Sequence, residues 1–150
     1  MTYDFIKTRL GPCGIHCGKC FAFVDGPIKQ HSIELQKELG NFDIYAKRFV
    51  NLLNEPRFEH YAAFKDLLSY FTQVGCRGCR LDGCALFKNC QVKGCAVNKN
   101  ADYCFQCNDF PCDHSGFDEN LKQRWISINQ TMKETSVESY FEFIKDKPRY

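Results

Sequence analysis

Eleven cysteines stand in 150 residues, and their spacing suits metal chemistry. Three C-x-x-C pairs occur: Cys17-Gly18-Lys19-Cys20, Cys76-Arg77-Gly78-Cys79 and Cys104-Phe105-Gln106-Cys107. Two intervening residues let the chain turn so that both sulfurs face one ion. Gly18 and Gly78 supply backbone freedom for such a turn. The other thiols are Cys13, Cys84, Cys90, Cys95 and Cys112. An odd count excludes complete pairing in intramolecular disulfides. Met1 to Lys7 lacks the basic start and apolar run of a secretory signal. The expected compartment is therefore the reducing cytoplasm, where clustered thiols bind metal more often than they cross-link.

Structural zinc takes four ligands in a tetrahedron, with sulfur at about 2.3 Å. Zinc is thus the expected metal, with eight thiolates filling two sites. The expected ligands come from Cys13, Cys17, Cys20, Cys76, Cys79, Cys90, Cys95, Cys104, Cys107 and Cys112. The spacing leaves the grouping open. Sequential sharing would join Cys76, Cys79, Cys90 and Cys95, leaving Cys104, Cys107 and Cys112 to find a fourth ligand near the N-terminus. A cross-braced arrangement fits equally well. Cys84 adjoins the apolar Ala85-Leu86-Phe87 and is expected to be a spare packed thiol. His16 and His114 adjoin cysteines and are reserve ligands. His31 and His60 fall on helical segments and carry no such expectation.

An iron–sulfur cluster is the alternative cofactor. Neither the bacterial nor the plant ferredoxin order of cysteines is present. Cys13-x3-Cys17-x2-Cys20 resembles the cluster signature of radical S-adenosylmethionine enzymes, but the chain is too short for their barrel and shows no strand there. No C-x-x-C pair is followed by the His of haem attachment, and no βαβ pattern supports a thioredoxin-like redox pair. Outside the cysteines no acid–base or nucleophile set stands out, so no enzyme activity is assigned.

The elements that must position these thiols are helical. Ile28 to Leu39 forms a weak amphipathic run closed by Gly40. After Asn41, a candidate N-cap, Phe42, Tyr45, Ala46, Phe49, Val50 and Leu53 recur at helical spacing up to Pro56. Phe58, Tyr61, Ala62, Leu68 and Phe71 form a further run before Gly75. Leu121, Trp125, Ile128 and Met132, then Val137, Tyr140, Phe141 and Ile144, predict two C-terminal helices. No strand pattern of useful length occurs. The aromatic stripes are expected to be core.

The fold class is therefore mainly α: a small helical domain with a loop-rich cysteine module inserted between helices. One domain spans 1–150. It has an N-terminal cysteine turn (1–26), helices (27–75), the module (76–112) and C-terminal helices (113–150). The N-terminal turn is expected to fold back on the module.

The formal charge is +2 and the mean hydropathy −0.41. No apolar run approaches a membrane span, so no membrane partner is expected. Arg77, Arg80, Lys88, Lys93 and Lys99 outnumber Asp82, Asp102 and Asp109 in the module. That surplus is small beside the negative charge of two tetrathiolate zinc sites. It is expected to offset thiolates and donate hydrogen bonds to sulfur. A nucleic-acid-binding zinc module is the weaker reading.

Cys13-Gly14-Ile15-His16-Cys17-Gly18-Lys19-Cys20 resembles the opening motif of a prokaryotic cysteine-rich family catalogued as domain of unknown function three-seven-nine-five. The likeness continues through Gly75-Cys76-Arg77-Gly78-Cys79-Arg80, Asn89-Cys90 and Cys95. It ends on Tyr103-Cys104-Phe105-Gln106-Cys107-Asn108-Asp109-Phe110-Pro111-Cys112. Ten cysteines fall on family positions, and Cys84 does not. The resemblance implies a small metal-binding domain and no activity. The expected role is to present a surface to a protein partner or a small ligand.

Overall fold

The computed structural model describes residues 1–150, and the chain is mainly helical. Helix α1 (Tyr3–Arg9) opens it, with the Thr2 side chain accepting from the Phe5 N–H at 3.3 Å. The polar Lys7, Thr8 and Arg9 hide this short helix from a periodicity reading. Its Ile6 and the following Leu10 lie four apart and are both 1% exposed.

Helices α2 (Pro27–Leu39), α3 (Phe42–Leu52) and α4 (Tyr61–Gln73) follow the apolar periodicity. Pro56 ends the preceding pattern, and residues 56–60 form a 3-10 turn capped by the Glu55 carboxylate, which accepts from the Arg57 N–H at 3.1 Å. Helix α4 thus starts three residues later than Phe58. Helix α2 packs on α4, and α3 packs on α4 and the 3-10 turn.

The aromatic stripes of this unit pack largely on one another. Phe42 lies 5.9 Å from Phe49, 6.1 Å from Phe58 and 5.2 Å from Tyr61, centroid to centroid. Yet within residues 27–75 only Ser32, Ala46 and Leu68 are buried, beside Gly26 at the entry to α2. Tyr45, Leu53 and Ala62, expected on the packed faces, are exposed. Three helices in one layer can cover only one side of each stripe.

The deep core lies elsewhere. Ile6, Leu10, Tyr103, Met132, Val137, Tyr140 and Phe141 form one cluster that joins α1, the cysteine module and helices α7 (Glu119–Glu134) and α8 (Val137–Ile144). The Asp118 carboxylate caps α7 at the Leu121 N–H, and the Ser136 hydroxyl caps α8 at the Ser139 N–H. The module contains two short helices, α5 (Cys79–Asp82) and α6 (Val92–Asn98), of which α6 buries Val92 and Ala96 one turn apart. No helix is long and apolar enough to cross a membrane.

Candidate metal centres

The N-terminal cysteine turn does fold back on the module. A parallel bridge joins Phe23 to Cys76, with the Cys76 N–H donating to Ala22 O at 2.9 Å and the Val24 N–H to Cys76 O at 2.8 Å. This zips the first two C-x-x-C turns together. Cys17 opens a 3-10 turn over Cys17–Lys19, and Cys17 and Cys20 are buried in one cluster against which Cys76 and Cys79 pack. Gly78 lets its turn form, because its φ of +103° is closed to most side chains. Gly18 serves differently. Its φ is not positive, but a Cβ there would stand 2.8 Å from the Arg9 Cδ. The expected role of Gly18 in backbone freedom gives way to close approach.

The third C-x-x-C pair belongs to a second group. Cys95, Cys104, Cys107 and Cys112 line one cavity of about 30 Å3, beside the exposed His114. Helix α6 brings Cys95, and a 3-10 turn over Cys104–Gln106 brings the pair. The Cys104 N–H donates to Pro12 O at 3.0 Å, tying this turn to the N-terminal segment. Behind the group stands Trp125, 1% exposed, whose Nε1–H has no hydrogen-bond partner of good geometry. That N–H interacts with the Cys104 side chain and favours its ionised form. Burial prevails, and the Cys104 thiol is pushed up to about 11.

Cys13, Cys84 and Cys90 complete the set. With Cys17 and Cys79 they line a cavity of about 20 Å3 whose wall includes the Arg149 guanidinium. The Cys79 thiol interacts with both Cys17 and Cys84. Cys79 is pushed up by these two neighbours, and Cys17 and Cys84 are both lowered by their interaction with it. Cys13 is pushed up by complete burial. Gly11 is the floor of this region. A Cβ there would lie 3.2 Å from the Cys13 Sγ and 3.5 Å from the Cys17 Sγ.

Cys84 therefore stands against Cys79 and among the other thiols, where the sequence suggested a spare residue. Sequential grouping of Cys76, Cys79, Cys90 and Cys95 is replaced by a fold that joins Cys76 and Cys79 to the N-terminal turn and Cys95 to the last three cysteines. His16 turns to α8, stacking on Phe141 at 5.3 Å. Burial, then the charges of Lys19 and Arg149, lower it to about 4, and its Nδ1 is buried without a partner.

Arg77, Arg80 and Lys99 of the module are engaged away from sulfur. Arg80 donates to Lys7 O and Leu10 O, each at 3.1 Å, and to Asp102 O at 2.7 Å. Arg77 pairs with Asp82 at 2.6 Å and Lys99 with Asp109 at 2.7 Å. Hydrogen bonds to sulfur come instead from the Gly78 and Phe87 N–H groups, onto Cys76 and Cys84, and from the Tyr150 hydroxyl onto Cys20. Backbone donors do this because the tight turns already aim their N–H groups inward.

As the side chains lie, no three His, Cys, Asp or Glu groups converge on one metal-ion position. The donor set nonetheless suits a thiophilic ion, and both cavities are far below the ~300 Å3 at which organic ligand pockets begin. Rotation about χ1 between staggered wells is the motion available to bring the sulfurs together. A separate open groove of about 750 Å3 lies between α3 and α4, floored by Ala46 and flanked by the Lys65–Asp43 pair at 3.2 Å. Nothing in the sequence announced it.

No curated protein and no solved structure matches the chain. A family model does match residues 9–116, the span that holds all eleven cysteines. The chain belongs to the family described as Protein of unknown function (DUF3795).

Proposed function

We propose that this is a metal-binding protein whose fold is closed by structural zinc at two thiolate groups. One is built from Cys17, Cys20, Cys76 and Cys79, the other from Cys95, Cys104, Cys107 and Cys112. The observation that carries this reading is the gathering of cysteines distant in sequence: Cys76 and Cys79 pack against Cys17 and Cys20, and Cys95, Cys104, Cys107 and Cys112 line one ion-sized cavity. The buried Trp125 N–H supports it further. An indole N–H can only donate, and a metal-bound thiolate is the acceptor that would satisfy it.

Zinc, when bound, would supply cross-links from the N-terminal turn to residues 76–79 and from α6 to residues 104–112. The residues themselves do the positioning. The Phe23–Cys76 bridge holds two turns in register, and Asn129 locks the N-terminal segment to α7. Metal binding would then be coupled to folding.

The surface such a core would hold out is the three-helix unit of residues 27–75. It exposes Ile44, Tyr45, Leu52, Leu53, Phe64, Leu67 and Tyr70. Exposed apolar side chains in that number suit a protein partner better than nucleic acid. Its Lys and Arg residues are matched in number by Asp and Glu.

Elemental analysis and a visible spectrum of protein purified without oxygen test the reading. Zinc with no visible band, and loss of helical circular dichroism on strong chelation, support it. Iron with matching sulfide would replace it with an iron–sulfur protein. Protein that is folded and free of metal after purification in zinc-containing buffer would sink it.

A further inference from the structure

The two groups account for eight thiols and leave Cys13, Cys84 and Cys90. These three line the same small cavity as Cys17 and Cys79. Cys17 and Cys79 therefore face two ways. On one side they pack with Cys20 and Cys76. On the other they meet the remaining thiols. A Cβ on Gly11 would stand 3.2 Å from the Cys13 Sγ, 3.5 Å from the Cys17 Sγ and 3.6 Å from the Cys79 Cβ, so these three side chains surround one point, and the Cys79 thiol also interacts with Cys84.

We infer that Cys17 and Cys79 are shared between two ions, making a thiolate-bridged binuclear centre, so that the chain binds three metal ions. One ion takes Cys17, Cys20, Cys76 and Cys79. Its neighbour takes Cys17, Cys79, Cys84 and a fourth thiolate from Cys13 or Cys90. The third sits among Cys95, Cys104, Cys107 and Cys112. The inference rests on the proposed metal binding and adds a site to it.

Two physical arguments favour sharing. A thiolate sulfur keeps lone pairs after binding one ion, so it can bind a second without a new bond being broken. Sharing also limits charge. Two divalent ions on six thiolates carry a formal charge of about −2, whereas two separate tetrathiolate sites carry about −4. The cavity wall holds two cationic side chains, Arg149, which donates to His16 O at 2.9 Å, and Lys93, which donates to Leu81 O at 2.6 Å. Two cations suit the smaller charge.

The test is metal content together with cadmium-113 NMR. Purified protein is loaded with excess cadmium-113, then freed of unbound ion. The expected result is three signals in the tetrathiolate region, two of them split by scalar coupling through shared sulfur. Substitution Cys84→Ser should remove one of the coupled pair, collapse the splitting of the other and leave the third signal in place. Two uncoupled signals in the wild-type protein would overturn the sharing and leave two-site metal binding intact. Sulfide in the purified protein would overturn it as well. No bound cadmium at all would overturn the metal reading itself. The wild-type spectrum decides the matter even if Cys84→Ser does not fold.

Discussion

The side chain of Asn129, fully buried on α7, holds the carbonyl of Cys13 at 2.9 Å and is itself held by the Phe105 N–H at 3.1 Å. One amide thus links the N-terminal cysteine segment, the third C-x-x-C turn and the C-terminal helices. Its Nδ2 also donates to Trp125 O at 2.9 Å. Asn129→Leu would leave the Phe105 N–H and the Cys13 carbonyl without this partner. Each orphaned buried group costs about 1–3 kcal/mol. The expected loss is about 2–5 kcal/mol, measured by urea denaturation. A loss below about 0.5 kcal/mol would show that the amide is dispensable.

Trp125→Phe keeps an aromatic ring and removes the N–H. The side chain packs at 4.9 Å from Phe110 and 6.0 Å from Phe117, so most of its contact survives. If the N–H supports a metal-bound Cys104, metal affinity at that group should fall by roughly 10–100-fold, the usual effect of losing an outer partner. Competition with a chromophoric chelator measures it. The centre around Cys17 and Cys79 should be unaffected.

Gly14 has φ +82°, and a Cβ there would stand 2.4 Å from the Ile128 Cγ2 and 2.6 Å from the Met132 Cε. Gly14→Ala therefore meets α7 and adopts a disfavoured backbone at once. Overpacking typically costs about 1–3 kcal/mol and a left-handed non-glycine residue about 1–2 kcal/mol more. A drop of about 2–5 kcal/mol in denaturation is expected. Gly94→Ala, where a Cβ would meet nothing within 4 Å, is the matched control.

Burial, opposed by the Arg124 charge, raises the Tyr140 phenol from 10.0 to about 12. Below pH 10 both folded and unfolded chains hold this proton. Between pH 10 and 12 the unfolded chain releases it first, so stability falls as pH rises through that window. Tyr140→Phe should flatten this part of the alkaline limb. Denaturation midpoints measured from pH 9 to 12 check it, and an unchanged slope would assign the loss to other groups.

Much of this was legible in the residues. Helices α2, α3, α4, α7 and α8 follow from apolar spacing because each is long enough to show two or more turns of period. Helices α1 and α6 are seven residues each and fall below that length. The burial of the stripes was overestimated, since periodicity says which residues share a face but not how much of that face a neighbour covers. Tyr45 and Leu53 show the difference.

The sequence by itself determined that eleven thiols occur as three turns and five single residues, that helices flank the loop-rich module holding most of them, and which family the motifs resemble. Those properties are local, and local spacing encodes them. Only the tertiary structure decided which thiols meet. The Phe23–Cys76 bridge sets Cys17 beside Cys79 across about sixty intervening residues, and α6 places Cys95 in one cavity wall with Cys104, Cys107 and Cys112. Cys84, unremarkable in sequence, lines one cavity with Cys13, Cys17, Cys79 and Cys90. Contacts between distant segments depend on how whole elements pack, and no count of residues between cysteines contains that information.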